Sequence, residues 1–402
     1  MKKIISVIIS VVLMVAMSSE ALGLNASVGY VEEYDVSGVD ASVPVDAHLM
    51  TYAKSVILME KSTGKVLYAE NENEKLYPAS VTKIMTILLV CEAIENGKIT
   101  LTDTVSCSEN AASKGGSQIW LEAGESMTVD ELLKATCIYS ANDACTLLGE
   151  YVAGSETAFN TLMNTRAKEL GMNNTHFDNC TGLDDTTQTH LTTAYDIALM
   201  AKELLKHDFI KQYTTIWMDS LRNGETQLVN TNKLIRYYNG ITGLKTGTTE
   251  KAGCCVCATA ERDSMELIAV VMGSENSKDR FASAENLLDW GFANYEIVTP
   301  DIGNISDSVK VKLGEKDNLT VNIPDIKPVL VNKGSSSKLI CEYNLLNELT
   351  APVSKGDCVG NIYVRMNNET VSEYEIRAAE DIAPLSFFTA FLKLVTSFSA
   401  DK

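Results

Sequence analysis

The chain has 402 residues, more than a usual single domain, so a large domain with a smaller companion is the natural expectation. A formal net charge of −19 excludes a nucleic-acid partner, because such a surface repels phosphate and lacks clustered cations. Ten cysteines in a chain of this size do not make a disulfide scaffold of the kind small secreted domains need.

Lys2 and Lys3 precede an apolar run from Ile4 to Met17, and small residues follow around Ala21 and Gly23. This reads as an export signal over 1–23, with the mature protein outside the cytoplasm. The run is shorter than the roughly 20 apolar residues of a membrane span, and no cysteine follows it for lipidation. Residues 24–46 carry Glu32, Glu33, Asp35, Asp40 and Asp46 without periodicity, which predicts a flexible acidic leader.

Ser55 to Met59 and Lys65 to Tyr68 flank Ser62-Thr63-Gly64 as a strand, turn and strand. Helical periodicity covers Val81 to Glu95, Val129 to Val152, Ala158 to Leu170 and Thr192 to Leu205. Leu244 to Met272 reads as two strands, and a helix from Arg280 to Tyr295 closes the unit. Strands at both ends with helices between them predict an α+β domain over 47–300. Beyond Pro300, alternation at Val309, Val311, Leu313, Val321, Ile323, Ile362, Val364 and Met366 predicts a small all-β domain over 301–380. After Pro384 the period returns to helical over 384–402.

Cys91, Cys107, Cys137, Cys145, Cys180, Cys341 and Cys358 stand singly, as free buried thiols would. Cys254, Cys255 and Cys257 cluster, but in a strand Cys254 points away from the other two and no histidine is near, so no metal site is expected.

Three short motifs carry chemistry. In Pro78-Ala79-Ser80-Val81-Thr82-Lys83, proline suits a helix start, and residues three apart share a helix face, so Lys83 can reach the Ser80 hydroxyl as a base reaches its nucleophile. Taken alone this reads better as an N-cap serine beside an exposed lysine. Ser140-Ala141-Asn142 is a helix interruption if read alone, and Lys245-Thr246-Gly247 a strand end turning at glycine. All three in this order require three independent coincidences, and they are the Ser-x-x-Lys, Ser-x-Asn and Lys-Thr-Gly elements of penicillin-binding proteins and class A β-lactamases.

With these motifs the chain resembles the low-molecular-weight penicillin-binding proteins, the D-alanyl-D-alanine carboxypeptidases. The likeness extends through Lys114 to Leu121, Gly171 to Phe177, Thr181 to Asp184 and Gly243 to Thr249. It implies a β-lactamase/transpeptidase-like sheet with covering helices, then the all-β domain and a C-terminal amphipathic helix. It further implies that Ser80 attacks the carbonyl between two D-alanines of a peptidoglycan stem peptide, with Lys83 as base. Ser140 would relay a proton to the leaving amine, and Asn142 would hold Lys83 and substrate. Lys245, Thr246 and Gly247 would bind the substrate's end, Lys245 also lowering the proton affinity of Lys83 by its charge. The N–H groups of Ser80 and Thr248 would make the oxyanion hole. β-Lactams would be covalent inhibitors, and no cofactor is implied. Thr248 stands where some relatives carry His, and Tyr195 lies where some carry Arg.

A β-lactamase shares the motifs but needs a carboxylate for deacylation, usually within Glu-x-x-Leu-Asn. Glu156 to Asn160 and Glu169 to Asn173 are near misses. A catalytically silent wall-binding or β-lactam-sensing protein is the other alternative, against which the intact motif set argues. A Ser-His-Asp hydrolase has little support: none of His48, His176, His190 and His207 accompanies a Gly-x-Ser-x-Gly elbow. In the tail, Leu385, Phe387, Phe388, Phe391, Leu392, Leu394, Val395 and Phe398 share one half of a helix and predict contact with the membrane surface at its outer face.

Overall fold

In the computed structural model of the chain, residues 49–388, 390 and 391 are described. The expected export signal, the expected acidic leader and most of the expected C-terminal helix lie outside them.

The first hairpin joins β1 (Ser55–Glu60) to β2 (Val66–Glu70). Its turn closes on a carboxylate: Glu60 accepts from the backbone N–H of Ser62 and of Thr63, both at 2.8 Å. The longest helices that follow are α1 (Lys83–Glu95), α2 (Asn142–Ala153), α3 (Glu156–Glu169) and α4 (Ala194–Leu204). Ser155 starts α3 by accepting from the Ala158 N–H, and Thr193 starts α4 by accepting from that of Asp196.

Three strands complete the sheet, β3 (Ile241–Thr249), β4 (Gly253–Arg262) and β5 (Met265–Ser274), in the antiparallel order β2-β1-β5-β4-β3. Ile57, Met59, Cys255, Cys257, Ile268 and Val270 turn one face toward α1, α2 and α4. Val56, Leu58, Val256, Ala258, Leu267 and Ala269 turn the other toward α5 (Ser277–Asn294), which buries Phe281, Leu287 and Leu288 there. Each such side chain contributes about 2 kcal/mol when fully buried. Because both faces are covered, β4 and β5 read as nearly continuous apolar text, while β3 carries mostly Thr and Gly with one Lys. That is why sequence periodicity resolves two strands where the structure has three.

The helix expected from Val129 to Val152 is interrupted. A first helical stretch, Val129–Lys134, widens at Ala135–Tyr139, Ser140 turns left-handed at φ 64°, and only then does α2 begin. Asn142 makes the break tolerable, its backbone N–H donating to the Ser117 carbonyl and its side-chain Nδ2 to the Gly115 carbonyl outside the helix ladder.

Beyond α5, residues Tyr295–Val298 pair with Val329–Asn332. The second sheet comprises β6 (Ser308–Lys312), β7 (Asn318–Asn322), β8 (Leu339–Leu345), β9 (Glu348–Thr350), β10 (Cys358–Met366) and β11 (Glu369–Ala378), in the order β8-β10-β11-β7-β6-β9. Val309, Val311, Leu319, Val321, Ile362 and Ile376 form its separate core. All ten cysteines are free; eight are buried, but Cys341 is half-buried and Cys358 exposed, contrary to expectation. Those two sit in strands of a thin sheet that leaves much of its area in water, whereas the others lie within the thick α+β core.

The chain passes itself most closely at Gly182, where φ is +86° and an added Cβ would stand 1.8 Å from the Ala79 carbonyl oxygen. Gly124 shares that φ but has open space around it. Gly182→Ala is expected to lower stability by about 3 kcal/mol, and Gly124→Ala by only about 1 kcal/mol, the backbone cost alone. Urea unfolding of the two variants measures the difference.

Candidate active site

Ser80 sits in a 3-10 turn, Ala79–Thr82, that runs into α1, and Ala79 before it adopts φ +48°. The turn leaves Ser80 partly accessible while Lys83, three residues on, is completely buried. The Lys83 amine lies 2.8 Å from Ser80 Oγ, 2.6 Å from Asn142 Oδ1 and 2.9 Å from the Thr181 carbonyl oxygen. Asn142 Nδ2 donates to the Gly115 carbonyl at 2.7 Å, which fixes the amide so that its oxygen faces Lys83.

These partners determine the direction of the pair. Burial pushes Lys83 down to about 8, so the neutral amine is accessible near physiological pH. A neutral amine has two N–H bonds and one lone pair. Asn142 Oδ1 and the Thr181 carbonyl can only accept, so they take both N–H bonds and the lone pair is left for the Ser80 hydroxyl. Lys245 is buried as well, its ammonium donating to the Thr246 carbonyl at 2.9 Å. Burial first, and then the charge of Lys83, hold Lys245 well below the ordinary lysine value. Burial is the leading cause at Lys83, and the repulsion between the two amines falls on Lys245.

Ser140 is buried at the left-handed break, and among the described residues its hydroxyl makes no hydrogen bond. Thr246 Oγ1 donates to Thr231 Oγ1 at 2.6 Å. Strand β3 is an edge strand, and it approaches the serine turn so closely that a Cβ on Gly247 would stand 2.8 Å from the Ser80 nitrogen. The Thr248 hydroxyl accepts from Arg280 Nη1 at 2.9 Å, and the same nitrogen donates to the Gly247 carbonyl at 3.1 Å. Arg280 and the Thr181 carbonyl are contributors that sequence reading missed. Arg280 opens the amphipathic part of α5 like any solvated helix charge, although its place on the sheet-facing stripe was a usable signal. A backbone carbonyl has none.

Residues 41–276 match the family described as D-alanyl-D-alanine carboxypeptidase. The chain belongs to the D-alanyl-D-alanine carboxypeptidase family. Residues 301–384 match the C-terminal domain of penicillin-binding protein 5. The chain is 44% identical to the D-alanyl-D-alanine carboxypeptidase DacF of Bacillus subtilis, over 85% of this chain and 88% of that one. Penicillin-binding protein 5 from Haemophilus influenzae superposes with a TM-score of 0.70 at 28% identity, covering 83% of this chain and 98% of the other. Penicillin-binding protein D2 from Listeria monocytogenes, solved in its ampicillin-bound form, matches at a TM-score of 0.56 and 29% identity, over 61% of this chain and 99% of its own.

Other carboxylates and histidines stand apart from this centre. Glu156 is paired with Lys114 at 2.6 Å, and Glu169 at 3.1 Å with Arg166, which Glu92 and Glu203 share. The likeness to carboxypeptidases over most of the chain does not extend to the β-lactamase alternative. Tyr195 begins α4 with its N–H donating to the Glu72 carbonyl, packed partly against the core. His176 is held at the surface by Asp178, and His48 lies outside the described residues. His190 is fully buried, its Nδ1 accepting from the Asp178 N–H at 3.0 Å, so its proton resides on Nε2 and is donated to Thr82 Oγ1 at 2.8 Å. It braces the serine turn from behind.

Burial lowers His190 from 6.5 to about 4. Between those values the unfolded chain binds the additional proton, so stability present above pH 6.5 is lost as pH falls toward 4, by up to about 3 kcal/mol. His190→Gln should flatten this slope in urea unfolding measured from pH 7.5 to 4.5. An unchanged slope would show that other groups carry the acid lability.

Proposed function

We propose that the chain is an exported serine D-Ala-D-Ala carboxypeptidase, acting on peptidoglycan stem peptides through an acyl-enzyme on Ser80. The observation that carries this reading is the buried Lys83 amine, whose other partners leave its lone pair to the Ser80 hydroxyl. Lys83 takes the Ser80 proton as Oγ attacks the carbonyl of the penultimate D-alanine. The oxyanion forms between the N–H groups of Ser80 and Thr248, which the close approach of Gly247 brings to one side of the carbonyl. Ser140 passes the proton to the departing amine, the C–N bond breaks, and D-alanine leaves. Water then cleaves the ester with the same base.

The substrate lies along β3 as an additional strand, an arrangement that an unpaired sheet edge favours. Lys245 and Thr246 hold its terminal carboxylate. Arg280, fixed against the Gly247 carbonyl and the Thr248 hydroxyl, adds positive potential to that end of the cleft. Thr248 supplies only a small hydroxyl, so peptide preference here differs from relatives with an imidazole. β-Lactams acylate the same serine; a relative solved with ampicillin supports this.

The proposed organisation is an export signal over 1–23, a leader over 24–46, a catalytic domain over 47–300, an all-β domain over 301–380 and a membrane-surface helix over 384–402. No helix among the described residues is long and apolar enough to cross a membrane. Phe387, Phe388 and Phe391 are 89%, 70% and 54% exposed, which supports an interfacial role for the tail. Placed at the outer face of the cytoplasmic membrane, the helix holds the catalytic domain near its polymer.

Mass spectrometry after penicillin exposure should find one adduct on Ser80, and Ser80→Ala should abolish both the adduct and D-alanine release while leaving the fold intact. In the unsubstituted protein, acylation should rise about tenfold per pH unit below about 8 and level off above it, since only the neutral Lys83 amine accepts the proton. Labelling at another serine, or a flat profile, contradicts the mechanism.

A chain ending at Pro384 should stay soluble and hydrolyse small peptides normally, whereas the mature full-length protein should sediment with liposomes at low and high salt. If both remain in the supernatant, the tail is a packing element.

A further inference from the structure

Lys83 presents its lone pair to Ser80 only while both of its acceptors stay in place, and the two are held differently. Asn142 opens α2 and is fixed by the Gly115 carbonyl at 2.7 Å. Thr181 lies in the loop between α3 and α4, so the place of its carbonyl depends on what holds that loop. The turn around it is stiff in itself. Asn179 Oδ1 accepts from the Thr181 N–H at 3.1 Å, from the Thr181 hydroxyl at 3.1 Å and from the Gly182 N–H at 2.7 Å, while Asn179 Nδ2 donates to the Leu183 carbonyl at 2.8 Å. At its near end the Cys180 carbonyl accepts from Thr86 Oγ1 of α1 at 2.8 Å. The return of the loop is tied where Thr192 pairs with Leu76, well beyond Thr181. A stiff turn fixed at its near end still swings about that end.

The second anchor comes from the turn between β3 and β4. Lys251 Nζ donates to the Asp184 carbonyl and, at 3.1 Å, to the Thr187 carbonyl. Beside it Thr249 Oγ1 donates to the buried Asp184 carboxylate at 2.6 Å. The Lys251 ammonium also stands 5.3 Å from the centre of the Tyr77 ring, three residues before Ser80. One exposed side chain thus joins the loop that carries Thr181, the end of the strand that carries Thr248 and the segment that delivers Ser80. A surface lysine gives up side-chain freedom to be held in this way, and most surface charges collect far less.

We propose that Lys251 is a positioning residue for the general base: by fixing the far side of the loop it keeps the Thr181 carbonyl on the Lys83 amine, and so keeps the Lys83 lone pair on Ser80. Lys251 itself meets no reacting atom. The proposal rests on Ser80 being the nucleophile and Lys83 its base, and it adds a residue that the three motifs do not contain. Release of the loop has two effects. One N–H of the Lys83 amine loses its acceptor, so the lone pair is no longer directed, and water reaches a group that is kept neutral by being dry. The titratable groups facing Lys83 are Asp143 and Cys145 of α2, Cys180 of the loop and Lys245 of β3. Loss of the Lys251 side chain leaves all four in place, so the entry of water raises Lys83 from about 8.

The test measures acylation of the full mature chain by a fluorescent penicillin from about pH 6 to about pH 10. Lys251→Met keeps the aliphatic stem and removes the donors. It should acylate about fivefold more slowly on the plateau, with the inflection raised by about half a pH unit or more. Lys251→Arg, whose guanidinium can serve both carbonyls, should stay within about twofold of the unsubstituted protein, with its inflection near 8. Gly124→Ala, which weakens the fold where there is open space, should leave rate and inflection unchanged. An unmoved inflection in Lys251→Met, whatever its rate or Tm, overturns the positioning role, and so does an equal shift in Gly124→Ala. Absence of label on Ser80 in the unsubstituted protein overturns the carboxypeptidase reading instead, and the role of Lys251 with it.

Discussion

The structure is organised around one costly placement, the amine of Lys83 with no exposure to water. An isolated ammonium in such a place is strongly disfavoured, so the group is held near the neutral form that a base requires. The same burial demands acceptors for its N–H bonds, and these come from distant segments: Asn142 at the start of α2 and Thr181 in the loop between α3 and α4. Stability and reactivity therefore have one origin. The helical lobe must close fully for Lys83 to be both dry and satisfied.

That closure relies on backbone that ordinary residues avoid. Ala79 and Ser140 hold positive φ on the two sides of Lys83, and Gly182 and Gly247 leave no room for a Cβ beside the serine turn. Side chains fix these positions from outside: His190 through Thr82, Asp143 through the segment 119–121, and Arg280 through the carbonyl of Gly247. Strain is concentrated where the serine and lysine must meet, and the surrounding network holds it in place.

Much of this was legible in the residues. Alternation and helical period separate the α+β domain from the all-β one, and motif order places Ser80, Lys83, Asn142 and Lys245 as one group before any coordinate is seen. What escaped has physical reasons. The break at Ser140 shows only in the polar Ser140-Ala141-Asn142 triplet, because the apolar period runs straight through it and both sides pack on one core. Strand β3 is hard to recognise as a strand of its own, since its Thr, Gly and Lys residues give no apolar alternation. The Thr181 carbonyl carries no side-chain signature. Arg280 resembles a surface charge until the fold brings it against the sheet.

The order of strands in the first sheet has a consequence for biogenesis. β1, the first described strand, is an interior strand of the sheet, and its partner β5 comes after the helices of the lobe, with Ser55 opposite Met272. Until that late segment is available, β1 has only the β2 hairpin beside it, and a two-stranded ribbon is marginal in water. Closing so long a loop is also slow compared with forming the local helices. The sheet therefore cannot be completed until nearly the whole domain has emerged, which suits a chain threaded through a narrow translocation channel and folded on the far side.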